Sequence, residues 1–293
     1  MRRNLLWLVL LVTAVPALTA AEPFRFLYQE GEQYRVLSTV EQDVWVNGAY
    51  SHYATILNRI SIEVTDVEEG RGYHVASFIT SEEASSADQV FSWGEEYESE
   101  FWRDELGYYE IDPQYFMPVV RDVPVFPEDP LEPGDRWSAP GNEVHDFRRS
   151  FGIPEAYHFP IPVTYLYEGN VNQDGREYAL VRVSYNVFFR PDRSYPNAIY
   201  PVRISGTSNQ LVYWDIIAGR PHAYDEEYAF VFVLSTGDEV VYEGTAEARV
   251  IEATRMDREA IVGEIRDDLD DLGFEDQDVV ADERGVTIRL DNI

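Results

Sequence analysis

Residues 32–48 read EQYRVLSTVEQDVWVNG, and the order of side chains along them decides the fold class. Tyr34, Val36, Val40, Val44 and Val46 fall on one face when the stretch is read at period two. An extended chain places successive side chains on opposite sides, so this spacing describes a half-buried strand. Asn47-Gly48 then offers the backbone conformation that a tight hairpin requires.

The same signal recurs outward from this stretch. ILNRISIEV puts Ile56, Ile60, Ile62 and Val64 on one side, with Arg59, Ser61 and Glu63 opposite. YALVRVSYNVFF aligns Val181, Val183, Tyr185, Val187 and Phe189, and follows the turn signal Asp174-Gly175. EEYAFVFVLSTGDEVVYEGTAEARVIEA reads as a strand, a turn at Gly237-Asp238 and one or two further strands. Strands joined by short turns are antiparallel, so the chain is mainly all-β, an antiparallel sandwich or barrel-like sheet.

Residues 112–162 carry ten prolines and interrupt this pattern. Proline donates nothing to a ladder, which excludes central sheet, while the many aromatics exclude a loose linker. The segment is expected to be a long ordered connection lying over an edge or end of the sheet.

The ends of the chain differ from the middle. MRRNLLWLVLLVTAVPALTAAEP has an arginine pair, a short apolar run and then small residues, the layout of a cleavable secretory signal peptide over residues 1–21. The β-rich domain is expected over residues 22–253. From residue 254, Ile261, Ile265, Leu269 and Leu272 recur at helical spacing, with Thr254 and Asp257 placed to cap the start and Gly273 to stop the helix. A terminal strand follows, with Val286, Ile288 and Leu290 on one face. A short α/β segment is therefore expected over residues 254–293, its last strand without a neighbour in the chain.

The formal charge is −31, from 54 acidic and 23 basic residues, and every basic residue is arginine. Nucleic acids are bound by cationic side chains that displace counterions, so nucleic acid is excluded as a partner class. The chain has no cysteine, hence no disulfide and no thiol ligand.

Motifs for chemistry are sparse. GTSNQ at residue 206 lacks the second glycine of a nucleophile elbow, and the histidines at 52, 74, 145, 158 and 222 are scattered. A calcium loop counted from Asp268 places Leu272 and Val279 where oxygen ligands belong. Within EVHDF, Glu143, His145 and Asp146 could orient a general base, although a histidine on a proline-rich loop bonded to nearby backbone is the plainer expectation. FSWGEEYESEFWRDELGYYEID mixes carboxylates with Trp93, Trp102, Tyr108 and Tyr109; it reads as a sugar groove or, more plainly, as acidic turns beside aromatic core positions. No residue is assigned a catalytic, cofactor-binding or metal-binding role, and no cofactor is expected.

The stretches PGDRWSAPGNEVHDFRRSFGIPEAYHFPIPVTYLYEG, SYNVFFRP, GTSNQLVYWD and GTAEARVIEA resemble the N-terminal region of spirochaete-type OmpA-family envelope proteins. MDREAIVGEIRDDLDDLGFEDQDVVADERGVTIRLDNI is similar to the first helix and strand of the OmpA-like module in that family. The resemblance implies a non-enzymatic cell-envelope protein, periplasmic and associated with the outer membrane. Peptidoglycan would be bound through an Asp and an Arg of the remainder of that module, expected to follow Ile293, so none of its binding residues is assigned here. The β domain would be structural or would bind an envelope protein. Two other readings stand beside it, an outer-membrane β-barrel and a carrier of a hydrophobic ligand.

Overall fold

The computed structural model describes residues 23–85, 90–173, 175–192, 194–195, 198–254, 277–282 and 285–290. The expected signal peptide and the expected helix after residue 254 lie outside the described residues.

Twelve antiparallel strands form one nearly closed, barrel-like sheet. In chain order they are β1 (Gln33–Val46), β2 (Ala49–Glu68), β3 (Arg71–Ser85), β4 (Val90–Asp104), β5 (Tyr109–Ile111), β6 (Val120–Arg121), β7 (Arg136–His145), β8 (Tyr157–Gln173), β9 (Arg176–Phe189), β10 (Pro201–Asp215), β11 (Arg220–Leu234) and β12 (Glu239–Thr254). A four-residue helix, α1 (Arg148–Phe151), lies between β7 and β8. The spatial order is β5-β4-β3-β2-β1-β12-β11-β10-β9-β8-β7-β6. Except for β5 and β6, neighbours in sequence are neighbours in space, and β1 pairs β12 along its whole length, from Gln33↔Thr254 to Val46↔Val240. The gap in the barrel therefore falls between β5 and β6, at mid-chain.

The turns form where the residue types allow them. Asn47 and Gly48 have φ of 51° and 77°, the left-handed pair that a two-residue hairpin uses. The face read from the sequence is the inner one for most of its length: Val44 and Val64 are buried, as are Val181, Val183, Tyr185 and Val187, whereas Val46, beyond the register shift between Val44 and Trp45, is exposed.

The N-terminal segment closes one end of the barrel. The Phe26 amide donates to the Glu105 carbonyl at 2.8 Å, and the Leu27 amide to that of Gly219 at 3.1 Å. These bonds hold Phe24 and Phe26 against Phe126, Tyr167 and Trp214, with Phe26 and Phe126 each within 4.7 Å of the fully buried Trp214. The opposite end is filled by Phe147, Ile153 and Tyr157 beside Phe232.

The proline-rich stretch is only partly a connection. It contains β6, β7 and the start of β8, so the exclusion of prolines from the sheet needs correction. Pro140 sits opposite Pro162, and Pro160 two pairs further along faces Asn142. Paired residues of an antiparallel ladder alternate between exchanging hydrogen bonds and not, and two facing prolines occupy a pair that exchanges none. Their missing donors point away from each other, towards sides with no ladder: β9 joins β8 only from Val163, and β6 reaches only Asn142 and Glu143.

The terminal strand also needs correction. β14 (Gly285–Leu290) is not without a neighbour; it pairs antiparallel with β13 (Gln277–Asp282), with Val279 opposite Ile288. The two form a separate two-stranded sheet.

Candidate functional site

Strand register gathers polar side chains inside the barrel. One inward row runs Tyr185, Ser208, Tyr228, Gly244 and Gln42 across β9, β10, β11, β12 and β1. The adjacent inward row contains Gln210, Glu226 and Ala246. From β7, Glu143 and His145 reach the same region, because residues two apart on a strand share a face.

These groups bond to one another. His145 Nε2 lies 2.8 Å from Glu143 Oε2. Tyr185 is in hydrogen-bond contact with both the Glu143 carboxylate and the Ser208 hydroxyl. Ser208 donates to Glu226 Oε1 at 2.6 Å, and Gln210 Nε2 donates to the same oxygen at 3.3 Å. Tyr228 donates across Gly244 to Gln42 Oε1 at 2.9 Å. Gly244 is required at that crossing, since a Cβ there would stand 2.3 Å from the Glu41 carbonyl and 2.9 Å from Tyr228 Oη.

Electrostatics follow from removing these groups from water. Burial pushes the Glu226 carboxyl above the usual carboxylate range, with the nearby Glu143 charge acting in the same direction and the Ser208 and Gln210 bonds opposing. Burial likewise raises the Tyr185 phenol, assisted by the charges of Glu143 and Glu226. Glu143 and Ser208 are 2% and 0% exposed. The imidazole of His145 stacks on Phe159 at 5.1 Å and on Phe147 at 5.6 Å.

The pairing within EVHDF is thus a geometric fact. His145 lies on a strand, not a loop, and its partner is a carboxylate rather than backbone. Asp146 turns elsewhere, to Arg148 and to Tyr97 Oη at 2.9 Å. Among the described residues no serine or threonine hydroxyl is bonded to His145; Ser208 gives its proton to Glu226.

Other sequence candidates separate. FSWGEEYESEFWRDELGYYEID falls on β4, β5 and the turn between them, so Glu105 lies on an acidic turn as expected while most of the carboxylates lie on strands. Glu96, Glu98 and Glu100 are exposed on the outer face there, and the alternating Ser99 and Phe101 are buried on the inner one. Trp102 is outward too, with the Arg71 guanidinium 4.4 Å over its ring. His74 is buried against Tyr28 and Phe101, His158 bonds the Pro113 carbonyl, and His222 stacks on Tyr178 at 4.6 Å. No group of three or more His, Asp or Glu side chains is placed to hold a metal among the described residues.

Sequence reading missed Ser208, Gln210 and Glu226. A signal was there: each shares the parity of apolar neighbours, Ile204 and Val212 on β10 and Phe230 and Phe232 on β11. No protein-family model and no curated protein matches the chain.

Proposed function

We propose that the protein is a non-catalytic cell-envelope protein whose barrel stands in water and serves as a structural or partner-binding body. One observation carries this reading. An outward row crosses eight successive strands as Thr164, Ser184, Asn209, Glu227, Thr245, Glu41, Thr55 and Glu83. Every member is polar or charged. A lipid-facing barrel needs an outward apolar band about 25 Å tall, and charged side chains in mid-strand on that face are destabilising.

The barrel-like frame is equally the frame of an outer-membrane barrel or a ligand carrier, but the side chains favour neither. The polar row stands where lipid would lie. The space a carrier would keep open between β7 and β10 holds Phe159, Ile161, Tyr165, Val183 and Ile204.

Export and a periplasmic place rest on the layout of residues 1–21, and peptidoglycan contact on the OmpA-family resemblance. In this reading the sacculus is gripped by an OmpA-like module and not by the barrel. Expression with the leader followed by fractionation tests the proposal. The expected result is protein that stays monodisperse without detergent and does not sediment with purified sacculi. Extraction only in detergent, or robust sedimentation of residues 22–293 alone, overturns it.

A further inference from the structure

We propose a binding trough for an extended oligosaccharide on the outer face of β1 to β4. A depression of about 570 Å³ lies there, within the size range of small-ligand sites. It is built from three successive cross-strand rows: Arg35, Ser61, Ser77 and Glu98; then Tyr34, Ile62, Ala76 and Ser99; then Gln33, Glu63, Val75 and Glu100. Alternation sends the first and third rows outward and the second inward.

The depression has a local cause. The outward rows carry short side chains at Ser61 on β2 and at Ser77 and Val75 on β3, with Glu63 on β2 the one long side chain between them, and longer ones on the flanking strands. Tyr115, from the connection between β5 and β6, walls the side beyond β4. Four strands at about 4.8 Å spacing make a channel roughly 14 Å across the sheet, which suits an oligomer better than a single ring.

The lining chemistry selects the class. A sugar presents hydroxyls that both give and accept hydrogen bonds around an apolar ring face. The trough answers with acceptors in Glu63, Glu98 and Glu100, donors in Gln33, Ser61 and Tyr115, and an apolar patch at Val75. Glu63 and Glu98 have no hydrogen-bond or ion-pair partner among the described residues, whereas Glu100 already accepts from Tyr73 at 2.8 Å. Arg35 in the same row disfavours a simple cation, and the three carboxylates disfavour an anion. Binding here requires no chemical step, so it can fail without harm to the non-catalytic reading.

The test is calorimetric titration of the whole protein with laminarihexaose, maltohexaose and cellohexaose, neutral glucans unlike the glycan of the sacculus, with spermidine as a charge probe. Ser77→Leu fills the trough without changing charge, and Glu98→Gln removes one acceptor without changing shape. Glu243→Gln, outward on β12 and away from the trough, is the charge control. Far-UV circular dichroism confirms that each variant folds. The expected result is saturable binding of at least one hexasaccharide, weakened at least tenfold by Ser77→Leu and by Glu98→Gln and unchanged by Glu243→Gln. Absence of binding to all three sugars at millimolar concentration overturns the proposal. Sugar binding that the two trough variants leave intact, or saturable binding of spermidine alone, overturns it as well.

Discussion

The guanidinium of Arg103 lies 3.8 Å above the ring of Phe26 and, within the same setting, 4.5 Å from the ring of Tyr109. It also donates to the carbonyls of Gly107, Val123 and Pro124, at 3.2, 3.4 and 3.4 Å. One side chain thus joins the N-terminal segment, the β4–β5 turn and the stretch after β6, across the gap that no ladder spans. The Phe126 amide, donating to the Leu106 carbonyl at 2.9 Å, is the backbone counterpart of this clasp.

Removing the clasp is expected to be costly. Arg103→Ala loses two cation–π contacts and leaves three carbonyls short of a donor, for about 2–4 kcal/mol. Arg103→Lys recovers little, because an ammonium cannot reach three acceptors from one plane. Urea unfolding followed by tryptophan fluorescence reads both; a loss under about 0.5 kcal/mol for Arg103→Ala means the seam is held elsewhere.

Glycine at 244 and at 48 is needed for different reasons. Gly244→Ala pushes a methyl into the Glu41 carbonyl, and overpacking of this kind costs about 1–3 kcal/mol. Gly48→Ala meets nothing within 4 Å but must hold φ near +77°, for about 1 kcal/mol. Thermal melts of the two variants should rank Gly244→Ala as the more harmful. The opposite order argues against the close crossing of Tyr228 over β12.

Acid should weaken the fold through His74. Burial, reinforced by the Arg103 charge, lowers its pKa from 6.5 to about 4. The folded state binds the proton less readily than the unfolded chain. Stability from this group is therefore complete above pH 6.5 and is lost as pH falls towards 4, by on the order of 3 kcal/mol. His74→Phe, which retains a ring against Phe101, should flatten that slope. An unchanged slope in this window rules out His74 as its source.

Glu226 works in the reverse direction. Its folded-state pKa is raised, chiefly by burial, so its contribution is complete below the ordinary carboxylate range and is lost as pH rises through the folded value. Glu226→Gln keeps an oxygen to accept from Ser208 and removes the charge. The variant should unfold at higher urea than the parent at pH 8 and lose that advantage at acid pH. A variant weaker than the parent at both would show that the charge is compensated within the barrel.

The amino-acid sequence by itself determined the class of structure, most of the inner face of β1, β2 and β9, and the main turns. Those are local properties. Alternation along Gln33–Val46 sorts apolar from polar side chains whatever the strand pairs with, and Asn47-Gly48 reverses the chain by its own torsional freedom. Local rules also erred where pairing was the deciding factor. Pro140, Pro160 and Pro162 suggested a connection, yet they fit in strands because each turns its missing donor to a side with no ladder.

Only the tertiary structure decided which strands meet, and therefore the site. Glu143 and Glu226 are far apart in the chain and unremarkable among 54 carboxylates. Their meeting through Tyr185 and Ser208 depends on the registers of β9, β10 and β11. The trough of β1 to β4 depends likewise on Ser61 falling opposite Ser77 and Ser77 opposite Glu98. Register is fixed by the summed packing of whole strands, a non-local quantity that no short window of sequence contains.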